Sequence, residues 1–157
     1  MISLAFSANQ DTALATDTDR CVAQAEIILL GVSRTSKTPV SIYLSYRGWK
    51  VTNIPIVYNL NLPEELESID QKKIIGFTIN PRRLQQIRIQ RQQKFQNTES
   101  KYYSDLDYIK QEITYALRLY QKNIWPILDV TYKSIEEIAT EVMQVLYSTT
   151  GKKKGHF

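Results

Sequence analysis

The hydrophobic positions of this chain follow two patterns in turn, which predict strands and helices that alternate. The continuous apolar run from Ile27 to Leu30 is typical of a strand buried on both faces of a parallel sheet, and it ends at Gly31. Apolar residues at three- and four-residue intervals, clearest between Leu106 and Ile124, predict an amphipathic helix. The alternation favours an α/β fold with a mostly parallel sheet flanked by helices.

The boundaries of the expected elements follow from these runs and from the residues that begin and end them. We expect strands at 25–30, 50–57, 73–79 and 125–130, and helices or helical turns at 39–46, 63–69, 81–95, 104–124 and 134–146. Asn80 is expected to cap the helix that begins at Pro81. Ser-x-x-acidic patterns at Ser104 and Ser134 resemble capping boxes and predict the starts of the last two helices.

One folded domain is expected, from residue 25 to residue 150. Residues 1–24 are weakly patterned and predict a lead-in segment, residues 96–101 predict a polar loop, and residues 151–157 predict a basic tail that contains His156. The chain has 157 residues, of which 43% are hydrophobic, and this suits a single domain with a sizeable core.

Composition restricts the class of protein without naming a ligand. The net charge of +4 is a modest basic excess that is compatible with anionic ligands such as phosphates or nucleic acid. A single cysteine, Cys21, excludes an internal disulfide and is expected to be inert, and with a single histidine a His/Cys metal site is not expected. Because no apolar run is long enough to span a bilayer and no signal-peptide pattern is present, we expect a cytoplasmic protein with no membrane partner.

The clearest candidate chemistry lies between the first predicted strand and the helix that follows it. This segment, the 31–38 loop, reads Gly31, Val32, Ser33, Arg34, Thr35, Ser36, Lys37 and Thr38. It matches the phosphate-binding pattern G-x-x-x-x-G-K-[ST], except that Ser36 replaces the second glycine. Backbone N–H groups would bind phosphate oxygens, Lys37 the terminal phosphates, and Thr38 a magnesium ion. A polar loop with a helix cap at Ser36 or Thr38 is the alternative.

Other polar positions extend the candidate site. Asp129 ends a predicted parallel strand, where ligands of open α/β sheets bind, and it would hold magnesium or accept a proton; a turn-capping Asp is the alternative. Thr131 is close enough in sequence to line the same crevice. Helical spacing places Arg88 beside Arg91 as a phosphate clamp, a dock for an acidic protein patch, or a solvated basic face. Nucleic-acid binding is not expected, because no reading motif accompanies the charge.

Four segments carry a resemblance to a known family. They are GVSRTSKTP at 31–39, VTNIP at 51–55, IGFTI at 75–79 and WPILDVT at 125–131. Together they resemble the kinase–pyrophosphorylase family, which includes the regulatory proteins of pyruvate, phosphate dikinase and of phosphoenolpyruvate synthase. The resemblance extends from about residue 25 to about residue 146, and this ordered series is much more specific than the loop alone.

The resemblance implies a bifunctional enzyme that acts on another protein. One implied activity is the ADP-dependent phosphorylation of a threonine on pyruvate, phosphate dikinase, which inactivates the dikinase. The other removes that phosphate with inorganic phosphate and releases pyrophosphate. The segments around Arg34 and Asp129 resemble the dikinase branch more than the synthase branch, and regulation of the synthase is the alternative.

The start of the chain departs from the family's pattern. Family members carry a further upstream region of roughly similar size, and SANQD at residues 7–11 lies where they have a His-Asp-Asp-Gly-like stretch. We therefore expect a truncated homologue, and the sequence leaves homodimer formation open. The alternatives to a protein kinase–phosphorylase are a catalytically silent module that binds nucleotide or partner, and a small-molecule kinase.

Overall fold

The sheet of this protein is mostly parallel. The computed structural model describes residues 3–4, 21–95 and 102–150 of the chain. Its strands are β1 (Ser3–Leu4), β2 (Ile27–Gly31), β3 (Val51–Pro55), β4 (Ile74–Thr78) and β5 (Ile127–Asp129), and they lie in the order β1-β3-β2-β4-β5. β1 pairs with β3 in antiparallel orientation, whereas the other neighbouring strands are parallel. The predicted α/β fold is confirmed.

Helices connect the parallel strands. Residues 21–24 are helical and are called α1; the longer helices are α2 (Lys37–Tyr46), α3 (Pro81–Phe95), α4 (Leu106–Asn123) and α5 (Ile135–Thr150). Two short 3-10 turns, Glu64–Ser68 and Gln71–Lys73, precede β4. Helix α2 packs against α5, and α3 packs against α4. In the described ranges no helix is both long enough and apolar enough to cross a membrane.

The central strands are buried on both faces, which explains their continuous apolar sequences. Every residue of β2 is buried, and in β4 the last residue, Thr78, is the exception. A Cβ atom at Gly76 would lie 2.6 Å from ring atoms of Tyr120, so α4 can approach β4 this closely because residue 76 is glycine. The Tyr120 hydroxyl donates to the carbonyl of Phe77 at 2.9 Å and lies 3.3 Å from that of Leu30, which links β4 to β2.

Two predicted helix starts are confirmed. The Asn80 side chain accepts hydrogen bonds from the backbone N–H groups of Arg82 and Arg83, at 2.9 and 3.2 Å. The Ser134 hydroxyl accepts one from the N–H of Glu137 at 3.1 Å. Both caps satisfy donors that have no partner within the first turn of a helix.

The predicted start and end of α4 are wrong by one residue each. Asp105, not Ser104, caps the helix, with its carboxylate accepting from the N–H of Asp107 at 2.9 Å. The Ser104 hydroxyl instead donates to Gln92 on α3 at 3.0 Å. Ile124, which we expected in the helix, has a φ of 58° and is 89% exposed, and the helix therefore ends at the residue before it.

The segment expected as a lead-in contributes to the fold where it is described. Ser3 and Leu4 pair with Asn53 and Thr52 of β3, and Val22 of α1 is fully buried. Residues 5–20, the polar loop expected at 96–101, and the basic tail at 151–157 with its histidine lie outside the described residues.

Candidate functional site

The candidate site lies at the carboxyl ends of the parallel strands. Gly31, Thr78 and Asp129 are the last residues of β2, β4 and β5, and β4 lies between the other two strands. The register pairs Leu30 with Gly76 and Thr78 with Asp129. Asp129 is therefore two strand spacings, about 10 Å, from β2. The structure brings this carboxylate and the 31–38 loop to one edge of the sheet.

The loop connects β2 to α2 by a short and strained path. Helix α2 begins at Lys37, two residues before the predicted start at Pro39. Arg34 and Ser36 adopt left-handed conformations, with φ angles of 69° and 67°. Serine takes here the conformation that glycine usually supplies, at a cost of about 1 kcal/mol. The Ser36 side chain makes no capping hydrogen bond, and the capping alternative for this residue is therefore not observed.

The first turn of α2 presents its backbone donors without internal partners. Within the described residues, the N–H groups of Ser36, Lys37 and Thr38 donate no hydrogen bond. Such groups carry the positive end of the helix dipole and can bind an anion. The arrangement of strand, loop and helix has the polarity that a phosphate site requires.

Lys37 is folded back across the loop and is buried. Its side chain is 8% exposed, and Nζ donates to the Val32 carbonyl at 2.8 Å and lies 3.4 Å from Oγ1 of Thr35. No carboxylate in the described residues forms an ion pair with this ammonium. Burial, together with the positive charges of Arg88 and Arg34, lowers the pKa of Lys37 to about 7.

Glycine at position 31 is required by the closure of the loop. A Cβ atom at Gly31 would lie 2.6 Å from Oγ1 of Thr35. That hydroxyl donates to the Val32 carbonyl at 2.8 Å, and the same carbonyl accepts from Lys37. The loop is therefore held by its own short contacts around one carbonyl group.

A cleft of about 250 Å³ opens beside the loop. It is lined by Arg34, Thr35, Ser36, Lys37, Thr38, Pro39 and Ile87. Two cationic side chains and three hydroxyl-bearing residues therefore face one space. Thr38 is exposed and lies in the first turn of α2, where its hydroxyl is accessible to a ligand.

The two arginines expected as a clamp lie in different environments. Arg88 is 1% exposed and forms an ion pair with Glu112 at 2.8 Å, whereas Arg91 is exposed. Arg88 also donates to the carbonyl of Ser33 at 3.2 Å and to that of Tyr103 at 2.9 Å. Arg88 thus reaches the loop through a backbone carbonyl and does not line the cleft. A direct phosphate contact by either arginine stays a prediction.

Asp129 makes the hydrogen bonds of a turn-capping residue. Its Oδ1 atom accepts from the N–H of Thr131 at 2.8 Å and also from the Thr131 hydroxyl, whose oxygen accepts from the N–H of Asn80 at 2.9 Å. The side chain is exposed, so it remains accessible to a ligand. In the described ranges no group of three or more His, Cys, Asp or Glu residues could hold a metal. A magnesium ion here would need phosphate oxygens and water as further ligands.

Sequence reasoning missed two residues that contact the loop network. Glu112 is the ion-pair partner of Arg88, and the hydroxyl of Tyr103 accepts a hydrogen bond from Nε of Arg34 at 3.1 Å. A signal for Glu112 was present in the helical pattern. Glu112 lies three residues after Ile109, on the border of the apolar stripe of α4. A charged residue at such a border becomes partly buried.

Comparison with known proteins gives matches over most of the chain. The model of the kinase/pyrophosphorylase family matches residues 2–143. A protein of Bdellovibrio bacteriovorus is 43% identical over 129 residues, which are 82% of this chain and 46% of that protein. A protein of Ehrlichia chaffeensis is 47% identical over 123 residues, 78% of this chain and 45% of that protein. A protein of Geobacter sulfurreducens is 44% identical over 128 residues, 81% of this chain and 48% of that protein.

All three relatives carry the name "Putative pyruvate, phosphate dikinase regulatory protein". The chain spans just under half of the length of each of them. The matched residues of the family model include the 31–38 loop, Arg88 and Asp129. By the extent of that match, the chain belongs to the kinase/pyrophosphorylase family.

Proposed function

We propose that the 31–38 loop binds ADP and that the chain transfers phosphoryl groups to and from pyruvate, phosphate dikinase. The observation that carries this proposal is the buried ammonium of Lys37, which has no carboxylate partner among the described residues and borders the same cleft as the first turn of α2. A polyphosphate placed in the adjacent cleft would compensate this charge. The name shared by the relatives supports the dikinase as the protein substrate.

The proposed chemistry needs positioning and charge stabilisation more than covalent catalysis. The N–H groups of Ser36, Lys37 and Thr38 bind phosphate oxygens, and Lys37 exchanges the Val32 carbonyl for the transferring group. Thr38 and Asp129 would provide ligands for Mg²⁺. In one direction the β-phosphoryl group of ADP passes to a threonine hydroxyl, whose proton is released to water, and AMP leaves. In the other, inorganic phosphate takes the phosphoryl group from phosphothreonine and leaves as pyrophosphate.

A second candidate function is binding without transfer. The Lys37 ammonium donates to the Val32 carbonyl and Asp129 accepts from the N–H of Thr131, so both side chains are engaged in contacts within the chain. The chain would then be a module that binds nucleotide or the dikinase without chemistry. A regulator of phosphoenolpyruvate synthase would have the same nucleotide site and a different protein substrate.

Calorimetry with ADP and Mg²⁺, combined with a phosphorylation assay on purified dikinase, tests both functions. We expect the unaltered chain to bind ADP and to phosphorylate the dikinase. Lys37→Met should reduce the affinity for ADP at least tenfold and abolish transfer, because it removes the cation and keeps the length of the side chain. Lys50→Met is the matched control, since Lys50 is exposed and precedes β3 at the opposite edge of the sheet.

Each outcome assigns a function. Binding of ADP without transfer to the dikinase favours the silent module, and transfer to phosphoenolpyruvate synthase favours the other branch. Transfer to a metabolite and to neither protein indicates a small-molecule kinase. If the unaltered chain binds no ADP, or if Lys37→Met binds as tightly as Lys50→Met, the proposed nucleotide site is wrong.

A further inference from the structure

A buried ion pair joins α3 to α4 directly behind the 31–38 loop. Arg88 of α3 is 1% exposed, and its partner Glu112 of α4 has a side chain that is 12% exposed. The pair is bidentate, with Nη2 to Oε2 at 2.8 Å and Nη1 to Oε1 at 3.3 Å. This geometry fixes the plane of the guanidinium group, because both of its terminal nitrogens are engaged by one carboxylate.

The same guanidinium group extends its contacts to the loop and to the segment before α4. Nη2 donates to the Ser33 carbonyl at 3.2 Å, and Nη1 donates to the Tyr103 carbonyl at 2.9 Å. The guanidinium carbon lies 4.8 Å from the centre of the Tyr103 ring. The hydroxyl of Tyr103 accepts from Arg34 at 3.1 Å. Two successive loop residues, Ser33 and Arg34, are therefore held by Arg88 of α3 and by Tyr103, which precedes α4.

The contacts from Arg88 and Tyr103 support the loop from outside, in addition to its own contacts around the Val32 carbonyl. Arg34 and Ser36 are both left-handed although neither is glycine, and such residues persist where the surrounding structure over-determines them. In the glycine-containing pattern, the backbone reaches this conformation without strain at the position of Ser36. Here serine replaces that glycine at position 36, and the loop is also held by the contacts of Arg88 and Tyr103.

Stability alone does not explain why this buried position holds an ion pair. Buried ion pairs lose hydration that their attraction only partly restores, and apolar replacements are often neutral or stabilising. Here Nε of Arg88 is also buried without a hydrogen-bond partner among the described residues, which adds to the cost. What the arginine supplies, and an apolar side chain does not, is a directed hydrogen bond to the Ser33 carbonyl.

From these contacts we infer that Arg88, oriented by Glu112, is a positioning residue that holds the 31–38 loop in its ligand-binding conformation. This inference rests on the proposed function in its reference to a ligand. The support acts through Ser33 and Arg34, so that the N–H groups of the following residues point into the cleft. Arg88 is then not a clamp on phosphate, and its effect on binding is indirect.

Amide hydrogen exchange of the ligand-free chain, together with calorimetric ADP titrations, tests this inference. Arg88→Lys keeps the charge, but lysine has one terminal nitrogen and cannot reproduce the contacts that the guanidinium group makes with Glu112 and Ser33. We expect exchange of the Val40 N–H, which donates to the Ser36 carbonyl of the loop at 3.1 Å, to rise roughly tenfold, exchange in β2 and α5 to stay unchanged, and ADP affinity to fall roughly tenfold. Arg118→Lys is the matched control, because Arg118 is an exposed arginine on α4, the helix that carries Glu112, and it should behave like the unaltered chain.

Glu112→Gln provides a second test that disturbs the fold less, because glutamine keeps the shape and one acceptor of the carboxylate. We expect the same local rise in exchange, smaller in size. A rise spread evenly over the whole chain, or no change at the Val40 N–H in either variant, would overturn the inference. If the unaltered chain binds no ADP, the proposed function is wrong, while the local exchange still decides whether Arg88 and Glu112 position the loop.

Discussion

At the scale of single residues, the candidate site depends on a lysine held where a charge is unfavourable. Burial, with smaller effects of repulsion from Arg88 and Arg34, lowers the pKa of Lys37 from 10.5 to about 7. Glu112 faces the same region, but its carboxylate is paired with Arg88. Because the pKa is lower in the folded state, protonated Lys37 destabilises the fold below about pH 7, and this penalty is lost as the pH rises towards 10.5.

The low pKa predicts that ADP binding depends on pH. We expect affinity to fall by up to tenfold per unit as the pH rises from about 7 to about 9, because the neutral amine does not attract phosphate. Calorimetry across this range measures the effect. Lys37→Arg is the control, since arginine stays protonated and leaves only the titration of the ligand itself. An equal pH dependence in both proteins would contradict a binding role for the ammonium of Lys37.

The sequence predicted the loop residues of the site but not the residues that support them. The loop is contiguous, so its spacing could be compared with a known pattern. The supporting contacts join residues far apart in the chain, with Arg88 and Glu112 separated by 24 positions and Arg34 and Tyr103 by 69. Helical periodicity shows which side chains share a face of one helix, but it does not show which face of α3 packs against the core.

At the scale of elements, strong apolar patterns predicted the strands and helices, and local capping chemistry decided their ends. The four parallel strands lie within the predicted ranges, apart from β2, which extends to Gly31. Strand β1 was missed because two residues at a sheet edge are too few to show a period. The start of α4 was misplaced because Ser104 and Asp105 are both good capping residues. Which of them caps depends on the contact of Ser104 with Gln92 of α3.

The observed cap of α4 predicts unequal effects of two neighbouring substitutions. Asp105→Ala should lower the free energy of unfolding by about 1 kcal/mol, because it removes the acceptor for the N–H of Asp107. Ser104→Ala should cost roughly 0.5 kcal/mol, because it removes one side-chain hydrogen bond. Urea denaturation measures both values. A larger loss for Ser104→Ala would show that the helix begins where the capping-box pattern placed it.

At the scale of the whole molecule, strand order explains why the site lies after β2. Strands β3 and β4, which follow β2 in the chain, lie on opposite sides of it. The connection from β2 leads to β3 on one side, and the connection from β4 leads to β5 on the other side. Because these connections run in opposite directions, a crevice forms at the carboxyl end of β2. The 31–38 loop occupies this position. The sequence predicted the parallel strands, but the order depends on long-range packing and was not predictable from local pattern.

The same edge of the sheet predicts a metal-dependent role for Asp129, about 10 Å from β2. Asp129→Asn should lower ADP affinity about tenfold with Mg²⁺ present and leave it unchanged without Mg²⁺, because the amide binds this cation poorly. Asp70→Asn is a matched control, since Asp70 caps a turn in the same way, accepting from the N–H of Lys72 at 3.0 Å, but precedes β4 at the opposite edge. Calorimetry with and without Mg²⁺ compares the two variants. An equal dependence on Mg²⁺ in both variants would show that Asp129 is not a metal ligand and serves only to cap the turn to Thr131.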